Sequence, residues 1–175
     1  INGYGIMPAF SLTSRPWAEF ATQITNIVME EGLFEISSYA FSGFTSLTTL
    51  TIPSSVGTIG YHAFSGCTAL TKISIPSGVN RINQWTFSGC TALTDVSIPA
   101  TVTAISPQAF ENCASLQKMT LPDGITTIGM EAFSGCLALT TINLPSQLST
   151  LEDRTFSGCS ALTTISIPEN VRTMG

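Results

Sequence analysis

Polar and apolar residues alternate in short bursts along this chain, and the bursts return at a fixed interval. Thr49-Leu50-Thr51-Ile52, Lys72-Ile73-Ser74-Ile75 and Asp95-Val96-Ser97-Ile98 each set apolar side chains two residues apart with polar ones between. Lys118-Met119-Thr120-Leu121, Thr141-Ile142-Asn143-Leu144 and Thr164-Ile165-Ser166-Ile167 repeat the pattern, each 23 residues after the last. Period-two alternation rich in β-branched residues predicts a half-buried strand. Proline closes every burst (Pro53, Pro76, Pro99, Pro122, Pro145 and Pro168). Lacking an N–H for a ladder, it ends the strand.

Phenylalanine keeps the same interval at 41, 64, 87, 110, 133 and 156, with no insertion or deletion between copies. A register this strict predicts one coil of a stacked solenoid per copy, because a change of length would shear the shared core. With Phe as position zero, +2 is Gly43, Gly66, Gly89, Asn112, Gly135 and Gly158. Gly replaced only by Asn points to a left-handed backbone closing a short helical turn around Ala-Phe-Ser. Position +3 is Phe44, then Cys67, Cys90, Cys113, Cys136 and Cys159, and +6 is always Leu. Apolar residues return at +15 and +18, as in Val79 and Ile82, predicting an extended stretch on the opposite side. One coil cannot enclose a core; stacking supplies the walls, with parallel strands ~4.8 Å apart and six coils spanning roughly 30 Å.

Upstream, Ile24, Ile27, Met29, Leu33 and Ile36 keep the register, so residues 18–40 read as a degenerate first repeat. Residues 1–17 carry Tyr4, Met7, Phe10 and Trp17 without the repeat and are expected to cap the first coil; six repeats fill 41–175. Gly175 stops at +19 without a polar cap, so the protein is expected to continue or be covered there, and Ile1 suggests a trimmed N-terminus.

Composition narrows the function. Charged residues make up only 10 % and the net charge is −5, with Lys and Arg scattered singly. A nucleic-acid partner needs a clustered basic stripe, and an anionic membrane surface needs much the same. Apolar runs are too short to span a bilayer. Glu19, Glu30, Glu31 and Glu35 read as solvated surface ahead of a cation site. The five cysteines share one inward position, so they form a column of small buried residues. Parallel Cβ vectors suit neither a disulfide nor a metal, and no metal or cofactor is expected. His62, the one histidine, is replaced in other coils by Tyr39, Trp85, Gln108, Glu131 and Arg154, and Glu152-Asp153 lie in an exposed turn. Neither is set up for acid–base chemistry, and the strand face lacks the charged cluster of a β-helix hydrolase, so no enzyme is expected.

Residues 70–90 read Leu-x-x-Ile-x-Ile-Pro-x-x-Val-x-x-Ile-x-x-x-Thr-Phe-x-Gly-Cys, and the string, with Ala in place of Thr86, recurs through residues 24–175. It resembles the 23-residue leucine-rich repeat of the BspA-like family, and Gly3-Tyr4-Gly5-Ile6-Met7 and Pro16-Trp17 are similar to the segment preceding the first repeat there. The resemblance implies an α/β-type leucine-rich repeat solenoid: right-handed stacked coils, a parallel sheet on the concave face, mostly β with short helical turns. It also implies a bacterial or protist surface protein concerned with attachment, with no shared catalytic residues.

Two surfaces are then candidates for a ligand. The strand face at +8 and +10 reads Asn26, Val28, Thr49, Thr51, Lys72, Ser74, Asp95, Ser97, Lys118, Thr120, Thr141, Asn143, Thr164 and Ser166. Short hydroxyls and amides on a rigid sheet can bind proteins or glycans, although solubility and β propensity explain them equally. The second surface is an aromatic ridge of Tyr39, Tyr61, His62 and Trp85, suited to sugar or protein recognition or simply to packing between turns. The expected role is a non-catalytic extracellular or cell-surface binding module for a host or cell-surface protein or glycan; the alternative is a passive spacer in a larger surface protein.

Overall fold

Each coil up to Leu151 carries two short strands, and equivalent strands lie side by side along the solenoid axis. The computed structural model describes residues 5–175; Tyr4 lies outside them. Asn26–Val28, Thr49–Thr51, Lys72–Ser74, Asp95–Ser97, Lys118–Thr120 and Thr141–Asn143 form the first set. They pair in parallel two by two with a 23-residue offset, Asn26 beside Thr49, Lys72 beside Asp95 and Lys118 beside Thr141, so this wall is three two-stranded ladders laid side by side and not one continuous sheet. The opposite wall holds Leu33–Ile36, Thr58–Ile59, Arg81–Ile82, Ala104–Ile105, Thr127–Ile128, Thr150–Leu151 and Thr173–Met174. Its last five strands form one parallel sheet in chain order.

The phenylalanines form the spine. Phe64, Phe87, Phe110 and Phe133 are fully buried. Successive rings from Phe41 to Phe156 lie nearly parallel, with centroids 5.7, 5.7, 5.4, 5.5 and 5.8 Å apart. These distances exceed the ~4.8 Å strand spacing, so the rings are offset, as their quadrupoles require.

The turns around each Phe differ from the sequence expectation: they contain no helix. Among the described residues the one helix is a 3-10 turn, Ala18–Phe20. In the repeats, turn N–H groups alternate between two destinations. Ala40, Ser42 and Phe44 donate back three residues, to Ser37, Tyr39 and Phe41. Tyr39, Phe41 and Gly43 instead donate to carbonyls of the next coil, those of Tyr61, Ala63 and Ser65, at 2.9, 2.8 and 2.7 Å. A helix would bring all six inward and leave the turns of neighbouring coils unlinked. Alternation needs left-handed residues on both sides of the Phe. Position +2 supplies one, Asn112 included at φ 59°, as its Gly/Asn pattern predicts. The other is +21, where Tyr39, His62, Trp85, Gln108, Glu131 and Arg154 all have φ between 53° and 61°. Nothing in their side chains announces this, and each costs roughly 1–2 kcal/mol that the inter-coil bonds must offset.

The cysteine column is buried, and its thiols are more than apolar filler. Cys67, Cys90, Cys113, Cys136 and Cys159 donate S–H to the carbonyls of Phe41, Phe64, Phe87, Phe110 and Phe133, at 3.1 to 3.3 Å. Each of these carbonyls also accepts an N–H from three residues on in its own turn. The thiol fills the second lone pair, which an alanine would leave empty.

The N-terminal segment completes the first coil with side chains. Trp17 stacks on Phe41 at 5.5 Å, extending the aromatic spine, and Phe10 meets Trp17 edge-on at 5.3 Å. Trp17 Nε1 donates to Ala40 O at 2.7 Å. Buried Arg15 donates through Nη1 to the carbonyls of Tyr39 and Ser42, with its guanidinium carbon 5.6 Å from the centre of the Phe44 ring. Phe44, the one departure from Cys at +3, thus serves the end of the stack. Of the four N-terminal carboxylates, exposed Glu31 is tied down: it accepts from the N–H groups of Ser54 and Ser55 and from Ser54 Oγ.

Two outcomes follow from this packing. Phe87→Ala should destabilise by about 3–5 kcal/mol in a urea titration, whereas Phe156→Ala, at a half-buried ring, should cost well under half of that. Burial, helped by the thiol one coil on, raises Cys113 and pushes Cys136 up to about 12, against an ordinary 9.0. The fold therefore holds these thiols protonated while the unfolded chain releases their protons first, so their contribution is lost as pH rises from 9 towards 12. Melting temperatures of the wild type should fall more steeply over that range than those of a Cys113→Ala/Cys136→Ala variant; equal slopes would contradict this assignment.

Candidate functional site

On the first set of strands the pleat sends +9 inward and +8 and +10 outward. Thr49, Thr51, Lys72, Ser74, Asp95, Ser97, Lys118, Thr120, Thr141 and Asn143 are all exposed on adjacent parallel strands, as the alternation predicts. Thr164 and Ser166 are exposed beyond them, outside any strand.

Hydrogen bonding separates these side chains from the other hydroxyls. In the neighbouring +7 column, Thr48, Thr94 and Thr140 donate to carbonyls of the preceding coil at 3.0, 3.2 and 3.0 Å. Ser149 and Thr126 do the same on the opposite wall, at 3.1 and 3.3 Å. Those hydroxyls hold coils together. By contrast, Thr51, Ser74, Ser97, Lys118, Thr120 and Thr141 have no side-chain bond to another described residue. Two members of the face are committed. Thr49 Oγ1 donates to Asn26 Oδ1 at 2.8 Å. Asn143 turns back onto Leu121, accepting from its N–H at 2.8 Å and donating to its carbonyl at 3.0 Å. Lys72 Nζ lies 4.0 Å from Asp95 with both side chains largely exposed, a pair worth little to stability.

The face is not flat. A depression of about 340 Å³ lies between Lys118–Thr120 and Thr141–Asn143, with Met119 and Ile142 among its lining residues. A second, of about 320 Å³, shares Thr141 and Ile142 and reaches Thr164 and Ser166. A pocket of about 230 Å³ also opens at the N-terminal end, lined by Trp17, Ile24, Ile27, Phe41 and Phe44 with Asn26 and Val28. It sits where the degenerate repeat has Ala18 and Ala21 in place of Phe and Cys. Sequence periodicity does not reveal such gaps, because they depend on how adjacent strands separate.

The aromatic ridge is a stack. Tyr39 and His62 rings lie 4.8 Å apart and His62 and Trp85 4.6 Å apart, nearly parallel in both cases. Both faces of His62 are therefore covered, and ring edges are left for solvent. Tyr61 stands outside the stack and is exposed. Further along the column Gln108 donates to Glu131 at 2.8 Å, and Arg154 lies 3.6 Å from the same carboxylate. Much of the +21 column is thus joined coil to coil, and in the row of aromatics His62 has both ring faces occupied while Tyr39 and Trp85 each have one face against it. Among the described residues no group of three or more His, Cys, Asp or Glu could hold a metal ion, and no helix is long and apolar enough to cross a membrane.

Parallel coils of fixed length, a leucine at +6 and a sheet of short strands define a leucine-rich repeat solenoid. The model of the BspA-type leucine-rich repeat region matches residues 19–107 and 90–175, with six copies. The chain belongs to this family. It is similar to a T. pallidum leucine-rich repeat protein at 35 % identity and a TM-score of 0.81, covering 86 % of this chain and 73 % of that one. A leucine-rich repeat protein of Bacteroides ovatus is 32 % identical with a TM-score of 0.68; the match covers 84 % of this chain but only 46 % of that longer one. A leucine-rich cell surface protein of Faecalibacterium prausnitzii is 25 % identical with a TM-score of 0.61, over 99 % of this chain and 66 % of that one. A search of curated protein sequences gives no match.

Burial lowers the pKa of His62 from its ordinary 6.5. The unfolded chain then takes up the proton first, so this residue's contribution to stability declines as pH falls below 6.5. A protonated imidazole against an indole quenches its emission. In a Trp17→Phe background, Trp85 fluorescence should fall with a midpoint below 6.5; a midpoint above it would show that cation–π attraction to the two ring faces outweighs burial.

Proposed function

We propose that this chain is a non-catalytic binding module of a cell-surface or secreted protein, attaching to a protein or glycan of a host or another cell through its strand face. One observation carries the reading. Thr51, Ser74, Ser97, Lys118, Thr120 and Thr141 of that face make no side-chain bond to another described residue, while hydroxyls of neighbouring columns are spent on coil-to-coil contacts. Exposed polar groups on a rigid sheet lose little entropy on meeting a ligand. The surface location is supported by the description of the Faecalibacterium prausnitzii relative as a cell surface protein. The second reading, a passive spacer, draws on the shallowness of the depressions and on the rigidity that the stacked columns give the rod.

A Thr49→Ala/Lys72→Ala/Asp95→Ala/Lys118→Ala variant separates the two. Binding of the labelled chain to epithelial and bacterial cells should fall at least about tenfold, while the melting temperature moves little because exposed substitutions cost roughly 0.5 kcal/mol or less each. Unchanged attachment would remove the strand face as the site. No attachment by the wild-type chain would favour the spacer.

A further inference from the structure

We propose that the strand face takes a linear acidic polysaccharide laid along the solenoid axis, with carboxylates on alternate sugars meeting Lys72 and Lys118. The inference rests on the strand-face reading above and names the ligand class for it.

The face argues first for a sugar over a protein. From Thr49 to Asn143 every outward residue is Thr, Ser, Asn, Lys or Asp. Protein interfaces centre on apolar, aromatic or Arg anchors in desolvated pockets, and the central strands present none. Free hydroxyls suit a ligand made of hydroxyls. Past Lys118 two neighbouring depressions share Thr141 and Ile142 in their linings, which mix apolar Met119, Ile142 and Ile165 with polar Thr, Ser and Asn side chains. A pyranose ring, with C–H groups on its faces and hydroxyls at its edge, has the matching character.

Charge then selects the acidic class. The chain has two lysines, and both stand in the +8 column of this face. Ten of the eleven acidic residues, and all four arginines, lie off its two outward columns. A chain of net charge −5 therefore carries a net positive strand face, and a polyanion is repelled elsewhere and admitted here. Lys72 and Lys118 are two coils apart, on the order of 10 Å along the axis at the usual spacing of stacked strands, with the ladder interrupted between Asp95–Ser97 and Lys118–Thr120. Asp95 sits between them, within 4.0 Å of Lys72. A polymer alternating a uronate with a neutral N-acetylated amino sugar presents carboxylate, amide N–H and carboxylate in that order. The N–H would donate to Asp95 and the carboxylates accept from the lysines. Each exposed contact is weak, so affinity should grow with polymer length.

The test uses the whole chain with a linear glucuronate–N-acetylglucosamine polymer, and with the same polymer carboxyl-reduced to its neutral form. The acidic polymer should bind, more weakly as salt rises, and the neutral one should not. Lys72→Gln/Lys118→Gln should reduce affinity about fivefold, and Asp95→Asn should also reduce it. Equal binding of the neutral polymer, or tighter binding by Asp95→Asn as in simple charge attraction, would overturn the inference. If neither polymer binds while the fourfold variant still loses cell attachment, the glycan inference fails and the strand-face reading stands. If that variant also attaches normally, both fail.

Discussion

The bond from a turn N–H to a carbonyl of the following coil is the interaction on which the rest depends. It is directional: Tyr39, Phe41 and Gly43 donate forward, and nothing in their own coil could satisfy them. It forbids a helix, and it demands left-handed residues on both sides of each phenylalanine. It also means that the first coil meets the cap with carbonyls lacking donors. By register, Ala40 and Ser42 would accept from the N–H groups of residues 18 and 20, but Ala18 and Phe20 turn theirs onto Arg15 and Trp17 in the 3-10 helix. Trp17 Nε1 and Arg15 Nη1 supply the replacement donors. A buried arginine is otherwise hard to justify. Here Nη1 and Nη2 each find a carbonyl and the guanidinium carbon lies over the Phe44 ring, while the buried Nε has no partner among the described residues.

That directionality divides the surface side chains into two populations. Where a hydroxyl sits within reach of a carbonyl one coil back, as in the column of Thr48, Thr94 and Thr140, it is absorbed into the stack. Where strands pair, as Lys72–Ser74 does with Asp95–Ser97, backbone bonds occupy the carbonyls between them, and a +8 or +10 hydroxyl pointing along the pleat normal has none to reach. The free hydroxyls of the strand face therefore follow from their outward direction on short strands that pair two by two beneath them. Asn143 shows the converse: its longer amide bends back to Leu121 and leaves the pool.

Most of the coil was legible in the sequence because strict repetition isolates each position. Phe, Leu, Pro and Gly/Asn each vary little, and one physical demand explains each. The left-handed residues at +21 were hidden for the opposite reason. Tyr39, His62, Trp85, Gln108, Glu131 and Arg154 share no backbone preference, so the conformation is imposed by the inter-coil bonds and not by propensity. Cysteine at +3 was read as a small apolar residue, and its burial agrees; its S–H donation to the Phe carbonyl depends on a neighbour 26 residues earlier and could not be seen in one coil. Arg15 looked like one scattered cation among six, because its partners are backbone atoms that the cap brings close.

The aromatic ridge shows how the same geometry rules on function. A row of Tyr, His and Trp at one repeat position invites comparison with aromatic platforms, but a platform works through ring faces. Stacking coils a strand spacing apart brings rings at equivalent positions face to face, at 4.8 and 4.6 Å here, and covers both faces of His62 and one face each of Tyr39 and Trp85. Any column of aromatics pointing along one direction in such a solenoid meets this fate. Short polar side chains do not, since a threonine or serine cannot fill the gap to its copy one coil away. Spare bonding capacity is therefore concentrated where outward side chains are small and polar, as at Ser74, Ser97 and Thr120 on the strand face, while in the ridge His62 presents only its edge.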